Sequence, residues 1–508
     1  EEFLSSGFKY APYNKGGAYR KWFGNVDYVI KFDAEHYAIL ANQGNHLPSR
    51  QFYFRENITW SDVTSVTSGV SFRYVPAGSV FDGAAAVAFP EKNETLELIG
   101  YLNNNFVGSV SVILNPTLHF KLNDFDKLPN AYLGLNGVGD ISVKCVNIAM
   151  NDRCSYEFAI DYIGHLLVLP SCMGTKIITG YETVKQLWSK TTLEMKRLEQ
   201  ENNRLFIDAY GLQDELTPEV PLSEITLTCN PHYRYGGNLT DDEREARLQS
   251  DTICELISYA IGCMMGRYSL DREGLVYAHA GNEGFKALVD EGAYSTFTAD
   301  DDGILPLTSE NWFEDDVAAR IEQFVASVWG NENLEENLNF IADSLCLYAI
   351  KPVKKGGETA RETIRRYLSS QFYKDHLKTY KKRPIYWLFS SGKEKAFECL
   401  VYLHRYNEST LPRMRTEYVT PLLGQMASRI ERKRMEQTEA STAEAKRIGK
   451  EIDSLNKQLT ELRAFDDQLK HHADMRITLD LDDGVKVNYG KFGTLLSDVK
   501  AITGDKGE

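Results

Sequence analysis

The stretch VKQLWSKTTLEMKRLEQENNRLFIDAYG, residues 184–211, decides the architecture at the centre of the chain. Its apolar residues keep roughly heptad spacing, which places them on one buried helix face. They are Val184, Leu187, Trp188, Met195, Leu198, Leu205 and Ala209. Gly211 stands where a helix C-cap is expected, because glycine adopts the left-handed conformation at little cost. The stretch therefore predicts one long amphipathic helix.

Helical signals continue in the second half of the chain. Apolar residues at 253–265 keep helical spacing up to Gly266, and helices are predicted to dominate to about residue 423. A coiled-coil seam is then formed by Ile448, Ile452, Leu455, Leu459 and Leu462. About three heptads fit an internal antiparallel hairpin as well as a dimer, and the internal hairpin is the favoured interpretation.

The tail of the chain, residues 476–489, predicts two short strands. They would flank Asp482-Asp483-Gly484, because Asp-Gly is a strong signal for a tight hairpin turn. Residues 131–180 carry a weaker pattern, and short strands such as 141–149 are predicted there.

The first 130 residues indicate β structure mixed with short helices. Residues 26–32 predict a strand, and residues 71–81 predict a hairpin that turns at Pro76-Ala77-Gly78. From Leu96 to Ile113 the apolar spacing becomes helical, and Pro116 ends that helix, which leaves residues 115–120 extended.

The predicted fold class is therefore α+β. A mixed β/α domain is followed by mainly helical C-terminal domains with a short coiled-coil hairpin. Four segments are predicted: 1–135, the mixed domain; 136–215, a connecting segment that ends in the long helix; 216–423, mainly helical; and 424–508, the hairpin and a short β tail.

Composition restricts the class of protein. The 508 residues are 43% hydrophobic and 25% charged, as in ordinary globular proteins, and no stretch approaches the roughly 20 apolar residues that cross a bilayer. The eight cysteines stand singly, without the C-x₂-C pairs of a zinc or redox motif, so no metal site is predicted. Isolated thiols are typical of a reducing compartment, and we expect a cytoplasmic protein without a membrane partner.

Net charge alone argues against a nucleic-acid partner, because the chain carries a formal charge of −15. The distribution changes that interpretation. Acidic residues concentrate at 300–343, whereas residues 361–383 form a basic block that ends in Lys381, Lys382 and Arg383. Contact with phosphates depends on local clusters, not on the sum. A solvated helix face explains such a block equally well.

A second basic stretch, residues 9–25, mixes lysine and arginine with aromatic residues and glycines. Cations can meet phosphates, aromatic rings can stack, and glycines let backbone N–H groups approach an anion. A packed aromatic turn with exposed lysines explains the composition equally well. Both interpretations stay open on the residues alone.

No catalytic or cofactor-binding residue is predicted in this chain. An enzyme that methylates the amino group of adenine needs two motifs. One is a glycine-rich turn that follows a strand and binds S-adenosylmethionine, and the other is an Asn/Asp-Pro-Pro-Tyr/Phe loop. Gly134, Gly137 and Gly139 follow no apolar strand, and the run after them reads as a strand, so they are interpreted as a loop. Asn230-Pro231-His232-Tyr233 lacks the second proline and is interpreted as a turn whose Asn side chain caps local backbone.

The sequence also resembles a known family. Residues 12–17, 20–25, 67–74, 81–82, 96–112, 114–118 and 128–129 are similar to the target-recognition region of large adenine methyltransferases. Residues 198–204, 210–212, 230–237, 383–391, 402–406 and 413–415 resemble the PglX family of adenine-N6 methyltransferases, from bacterial BREX phage-defence systems. The resemblance spans nearly the whole chain, and residues 145–182 fit least well.

This resemblance implies that the chain is the C-terminal part of such an enzyme, from the target-recognition region onward, with the catalytic domain N-terminal to it. In the full-length parent S-adenosylmethionine donates the methyl group, and no cofactor is expected on this chain. The implied partners are double-stranded DNA and other BREX components, and acidic phage proteins that mimic DNA are a further candidate. The alternatives are part of a fused restriction–methylation enzyme, or a protein-docking scaffold.

Segment 1–135 is then the DNA-reading domain, and the helical part braces the duplex. The residues predicted to bind DNA are Lys15, Arg20, Lys21, Trp22, Arg55 and Arg73, with Lys381, Lys382 and Arg383 as a second phosphate track. All of them are predicted to contribute to one positively charged face, despite the negative net charge.

Overall fold

A computed structural model describes residues 2–44, 47–62, 69–83, 85–91, 94–115, 117, 119–129, 134–277, 284–353 and 357–504. The chain forms two compact units. Unit 1 comprises Glu1–Asp161 and Thr183–Arg244, and unit 2 comprises Tyr162–Glu182 and Glu245–Glu508. The four predicted segments divide the chain in a different way, and they stay a prediction.

Unit 1 is an α+β unit with two small sheets. Its strands are β1 (Tyr10–Asn14), β2 (Tyr28–Lys31), β3 (Asn57–Ser61), β4 (Arg73–Val75), β5 (Val80–Phe81) and β6 (Ala85–Ala88). Its helices are α1 (Glu2–Ser5), α2 (Ala34–Asn42), α3 (Thr95–Leu102), α4 (Asn105–Leu114), α5 (Leu122–Phe125), α6 (Val138–Cys154), α7 (Ile177–Tyr210) and α8 (Pro231–Arg234). Helix α7 begins within unit 2 and continues through unit 1.

The two sheets of unit 1 have the strand orders β2-β1-β5 and β4-β3-β6. In the first, β1 pairs antiparallel with β2 and parallel with β5, so that Tyr13 lies opposite both Tyr28 and Val80. In the second, β3 pairs antiparallel with both neighbours. Trp60 of β3 is fully buried, stacks on Phe125 at 4.7 Å between ring centroids, and donates its indole N–H to the Phe120 carbonyl.

Helices α3, α6 and α7 meet at Gly100. A Cβ atom there would lie 2.5 Å from both Ser142 Oγ and Val138 Cγ1 of α6, closer than packed atoms approach. Asn202 of α7 donates its side-chain N–H to the Gly100 carbonyl at 2.8 Å. Glycine at this position therefore allows α3 and α6 to pack closely together.

Unit 2 is mainly helical around one three-stranded sheet. Its helices are α9 (Asp241–Met264), α10 (Phe285–Asp290), α11 (Val317–Trp329), α12 (Leu334–Leu347), α13 (Ala360–Tyr367), α14 (Tyr373–Thr379), α15 (Thr410–Arg413), α16 (Thr420–Glu439), α17 (Thr442–Asp474), α18 (Gly484–Gly490) and α19 (Val499–Thr503). Strands β7 (Ile304–Pro306), β8 (Tyr386–Ser390) and β9 (Glu398–Tyr402) pair antiparallel in the order β7-β9-β8. The predicted α+β class is confirmed.

Helices α16 and α17 form an internal antiparallel hairpin, as predicted. Lys433 pairs with Glu451, and Arg415 pairs with Asp466, so the pairing runs in opposite directions along the two segments. The predicted seam is buried, at Ile448, Ile452, Leu455, Leu459 and Leu462. Glu461 fixes the hairpin to the β8–β9 connection, because its carboxylate accepts hydrogen bonds from Ser391 Oγ, Glu394 N and Ala396 N.

Several further helix predictions are confirmed. The long helix ends at Tyr210, and Gly211 follows it with a φ of 67°. Helix α9 ends just before Gly266, whose φ is 74°. The predicted helix at 96–113 is two helices, because Asn104 caps α4 by accepting the Val107 N–H and thereby interrupts the run. Of the segment predicted to be extended after it, Pro116 and Leu118 lie outside the described residues.

Three strand predictions are wrong. The hairpin at 71–81 does not form, because β4 pairs with β3 and β5 pairs with β1 of the other sheet. Residues 141–149 lie in helix α6, since Ile141, Cys145 and Ala149 recur at four-residue steps on its buried face. The tail at 476–489 contains no strand: a 3-10 turn spans Leu481–Asp483, and Gly484, with a φ of 79°, begins α18 instead of a hairpin turn.

Among the helices of the described residues, none has the length and apolar content needed to cross a membrane.

We predict that Leu462→Ala destabilises unit 2 by about 2–5 kcal/mol, because Leu462 is fully buried between the hairpin and the sheet. Urea unfolding followed by circular dichroism measures the change. Leu347→Ala is the control, since Leu347 on α12 is 47% exposed and its truncation should change stability little. Equal effects of the two variants would contradict the packing described for α17.

We further predict that the buried imidazole of His376 destabilises unit 2 as the pH falls from 6.5 to about 3. Burial lowers the pKa of His376 to about 3, with a further contribution from the charge of Arg267, and burial lowers the pKa of His165 to about 4. His376 Nε2 accepts the N–H groups of Ile385 and Tyr386, so it must stay unprotonated in the folded state. The unfolded chain therefore binds more protons in this window, and stability falls with pH.

The test is His376→Gln, which retains a hydrogen-bond acceptor but does not titrate. The slope of unfolding free energy against pH should flatten by up to about 1.4 kcal/mol per pH unit. His471→Gln, at an exposed position of α17, is the matched control. Asp300 has the opposite effect on stability, because burial raises its pKa to about 7. It is present in both the variant and the natural chain, so its contribution cancels in the comparison. If the slope of unfolding free energy against pH were unchanged in His376→Gln, the assignment of His376 as a neutral buried imidazole would be wrong.

Candidate functional site

The β1–β2 loop, residues 15–27, contains most of the first predicted cluster. Positive φ angles occur at five of its residues: Gly16 (75°), Gly17 (156°), Trp22 (69°), Gly24 (141°) and Asn25 (59°). A Cβ atom at Gly17 would lie 2.6 Å from Asn25 Cγ, and Asn25 donates its side-chain N–H to the Ala18 carbonyl at 2.9 Å. The loop therefore folds tightly onto itself, and glycine is required at Gly17.

Glu199 of α7 anchors this loop from inside unit 1. Its carboxylate accepts Lys21 Nζ at 3.0 Å and the Trp22 indole N–H at 2.8 Å. Both side chains are buried, Trp22 completely. Burial by itself lowers the pKa of Lys21, but the charge of Glu199 outweighs it and raises that pKa well above its ordinary value. Lys21 is therefore a buried cation whose charge is balanced within the protein.

Arg20 of the same loop is partly buried and has different partners. Both terminal nitrogens of its guanidinium donate to Thr228 Oγ1 at 3.2 Å, and its Cζ lies 5.6 Å from the centre of the Tyr233 ring. Its backbone N–H donates to Ser71 Oγ. These partners orient the side chain without neutralising it, so the positive charge remains available to an external anion.

Arg73 of β4 is fully buried. Its backbone bridges to Trp22, and its Nη2 donates to Ser61 Oγ at 3.3 Å. Its Nε and Nη1 atoms find no hydrogen-bond partner among the residues that the structure describes. Burial, together with the nearby charge of Arg20, lowers the pKa of Arg73 to about 10. An unpaired buried guanidinium is energetically costly, and in this conformation solvent does not reach it.

Lys15 and Arg55 are exposed on unit 1. Lys15 Nζ lies 5.8 Å from the centre of the Tyr28 ring, and Arg55 Cζ lies 5.4 and 5.5 Å from the rings of Phe52 and Phe89. Cation–π contacts hold a charged group in place without neutralising it. Within the described part of the chain, Lys15, Arg20 and Arg55 contact no carboxylate.

The second predicted cluster belongs to unit 2. Lys381, Lys382 and Arg383 are exposed in the turn after α14, where the first two have φ angles of 50° and 61°. Lys382 and Arg383 form no side-chain hydrogen bond or ion pair with the residues that the structure describes. The two clusters thus occupy different compact units.

The arginines earlier in this basic block are neutralised. Arg361 pairs with Glu322 and Glu335. Arg365 and Arg366 pair with Asp316 and Glu358, both at 2.8 Å. The positive charge of the block is therefore compensated at 361–366, and its uncompensated part lies toward the end of the block.

The residues do not fit the catalytic loop of an adenine methyltransferase. Asn230 is fully buried, and its amide is fully engaged: Oδ1 accepts the His232 N–H, and Nδ2 donates to the carbonyls of Leu222 and Ile225. No atom of that amide is available to an adenine amino group. The predicted capping turn is confirmed, with Asn230 as the N-cap of α8.

The glycine cluster does not fit a cofactor turn either. Gly137, with a φ of 89°, precedes helix α6, so the run predicted as a strand after these glycines is helical. A cofactor turn also needs a strand before the glycines, and the described residues between 94 and 137 contain none. The parts of the chain that the structure describes also contain no group of three His, Cys, Asp or Glu side chains able to hold a metal ion.

Sequence reasoning missed Glu199 and Thr228. Glu199 was detectable, because Met195, Leu198, Asn202 and Phe206 share one buried face of α7 with it. A carboxylate on such a face needs a buried partner. Thr228 gave no signal, since its role depends on a contact with Arg20, 208 residues away in sequence.

Two curated proteins match nearly the whole chain. An adenine-specific methyltransferase, BrxX, of Escherichia coli O9:H4 (strain HS) is 50% identical over 503 residues, which is 98% of this chain and 41% of the relative. An adenine-specific methyltransferase, PglX, of Lacticaseibacillus casei (strain Zhang) is 37% identical over 509 residues, 97% of this chain and 39% of the relative. The chain thus spans about two fifths of the length of these relatives. No protein-family model matches it.

We predict that Glu199 and Lys21 are energetically coupled. Lys21→Met and Glu199→Gln should each destabilise unit 1 by about 3–5 kcal/mol, because each leaves a buried charge without its partner. The double variant should be destabilised by less than the sum, with a coupling of about 1–3 kcal/mol. Urea unfolding of all four proteins, followed by tryptophan fluorescence, measures the cycle.

The matched control is the exposed pair Arg197 and Glu201 on the same helix. Arg197→Met with Glu201→Gln should change stability little, since both groups are solvated and screened. Strictly additive effects at Lys21 and Glu199 would show that the buried pair does not anchor the loop.

Proposed function

We propose that this chain recognises and clamps DNA for a PglX-type adenine-specific methyltransferase. Over nearly its whole length, the chain is homologous to part of two such enzymes. The proposed parent methylates adenine N6 at a specific DNA site and acts in bacterial BREX phage defence. The supporting observation is the 50% identity to BrxX across 98% of this chain. Homology of this extent supports a shared fold and a shared role.

The site geometry supports recognition as the role of this part. The one catalytic-loop candidate, at Asn230, is closed by its own hydrogen bonds, whereas Lys15, Arg20 and Arg55 carry charges that no described carboxylate balances. DNA binding depends on such cations, because each neutralised phosphate releases condensed counterions. Three solvent-accessible, oriented cations on one unit suit backbone contact.

The predicted DNA residues divide into two roles. Lys15, Arg20 and Arg55 are proposed to contact phosphates or base edges directly. Lys21 and Trp22 are proposed to act from inside, by holding the β1–β2 loop through Glu199. Arg73, behind Arg20, raises the local positive potential without reaching solvent. Lys381, Lys382 and Arg383 remain the proposed second track in unit 2.

S-adenosylmethionine is proposed as the methyl donor of the parent. Neither Asn230 nor the glycines before α6 suit it in this chain, so no step of methyl transfer is assigned to these residues. The proposed partners are duplex DNA and other components of the same defence system. Acidic phage proteins that mimic DNA are proposed to bind the same cations, Lys15, Arg20 and Arg55.

We predict that replacing Lys15, Arg20 and Arg55 together by Ala weakens duplex binding and flattens its salt dependence. The slope of log K against log salt should fall by about 0.9 for each phosphate that the variant no longer neutralises. Fluorescence anisotropy with a labelled duplex, titrated at several salt concentrations, measures both quantities. Lys381/Lys382/Arg383→Ala, measured in the same way, tests the second track.

Arg197→Ala is the control, because Arg197 is exposed on unit 1 but paired with Glu194 and Glu201. This substitution should leave the salt slope unchanged. If the triple variant at Lys15, Arg20 and Arg55 retained both the affinity and the slope of the natural chain, the proposed DNA-contact surface would be wrong.

A further inference from the structure

Unit 1 contains a large cavity that the proposed DNA contacts do not explain. Its volume is about 1120 Å³, and residues of β1, β2, β5, β6 and α5 line it. Small-molecule sites usually measure about 300–1,000 Å³, so the space accommodates at least a nucleotide.

Aromatic rings dominate one wall. Phe52 and Phe89 stack at 4.8 Å between centroids with 20° between planes, and Phe81 lies 5.7 Å from Phe89 and 5.1 Å from Tyr53. All four residues line the cavity and are only partly buried. Because these side chains are only partly buried, part of each remains accessible to a flat ligand.

One carboxylate in the lining, Asp62, has an oxygen atom for which the described part of the chain supplies no hydrogen-bond donor. Asp62 Oδ1 accepts no hydrogen bond from the residues that the structure describes, while Oδ2 contacts His119 Nδ1 at 3.2 Å. The second carboxylate in the lining, Asp82, is already engaged by the Tyr13 hydroxyl at 2.6 Å. The Asp62 side chain is 36% exposed, so its carboxylate can accept an N–H group from a ligand.

Cations lie beside these rings. Arg55 is held over the faces of Phe52 and Phe89, and exposed Lys121 belongs to the lining. The arrangement therefore combines flat aromatic surfaces, an acceptor for an amino group and positive charge for a phosphate. These are the three features by which proteins hold a single unstacked nucleotide.

We propose that this cavity binds an amino-bearing nucleobase, with its ring on the Phe52–Phe89 wall and its amino group donating to Asp62. Two sources present this chemistry: a base unstacked from DNA and a free nucleotide. The first rests on the proposed function, since it requires that the chain bind DNA. The second is independent of it.

The experiment uses the 508-residue chain and labelled duplexes followed by fluorescence anisotropy. The duplexes are fully paired, or carry one bulged adenine, one bulged thymine or one bulged abasic site. Bulged adenine should bind about tenfold more tightly than the abasic bulge, since stacking on an aromatic side chain supplies this much per base. The abasic bulge controls for flexibility of the duplex. Calorimetric titration with AMP tests the free nucleotide.

Two variants test the residues. Phe52→Ala should remove the advantage of bulged adenine over the abasic bulge, and thermal unfolding shows whether it is folded. Asp62→Asn retains the volume and should reduce the preference for adenine over thymine, which lacks the amino group. Phe8→Ala is the matched control, because Phe8 is 64% exposed and does not line the cavity. It should preserve both preferences.

The outcomes separate the two proposals. Binding of the paired duplex, without preference for bulged adenine and without AMP binding, would overturn the nucleobase site and leave DNA recognition intact. AMP binding that is abolished in Phe52→Ala and Asp62→Asn, without duplex binding, would support the site and overturn the proposed function. Equal preferences in Asp62→Asn and the natural chain would overturn the role of Asp62.

Discussion

The buried carboxylate of Glu199 is the interaction on which the N-terminal surface depends. It lies on the central helix α7 and accepts both the Lys21 ammonium and the Trp22 indole N–H. A buried ion pair adds little net stability, because desolvation offsets most of the Coulomb attraction, but removal of one partner costs about 3–5 kcal/mol. The pair connects the β1–β2 loop, in which five residues have positive φ angles, to α7.

That anchoring explains how nearby residues of one basic stretch obtain opposite environments. Arg20 and Lys21 are adjacent in sequence, yet Lys21 points at a buried carboxylate, whereas Arg20 meets a hydroxyl and an aromatic ring. Partners also determine the charge in unit 2, where carboxylates neutralise Arg361, Arg365 and Arg366. The identity of the partner, not the number of cations, determines where positive potential remains on a chain with a net charge of −15.

The sequence predicted long, regular elements well and strand pairing poorly. Helix α7 and the α16–α17 hairpin carry many apolar residues at one spacing, so the signal is redundant. Strands β4 and β5 span three and two residues, too few for alternation to identify their partners, which lie in different sheets. Helix α6 was misread as strands because β-branched Ile141, Val143 and Val146 favour strands locally, although its buried positions follow helical spacing.

The same limit applies to the candidate site. Sequence reasoning found the basic aromatic stretch but left two interpretations, a packed turn and a surface that binds anions. In the structure the two apply to different residues, since Lys21 and Trp22 are packed inside while Lys15 is exposed. The division depends on Glu199, about 180 residues away in sequence, and no local pattern at 9–25 contains it. The proposed DNA-contact surface therefore depends on both a loop and a distant helix, and we expect a change at Glu199 to alter it although no exposed cation is replaced.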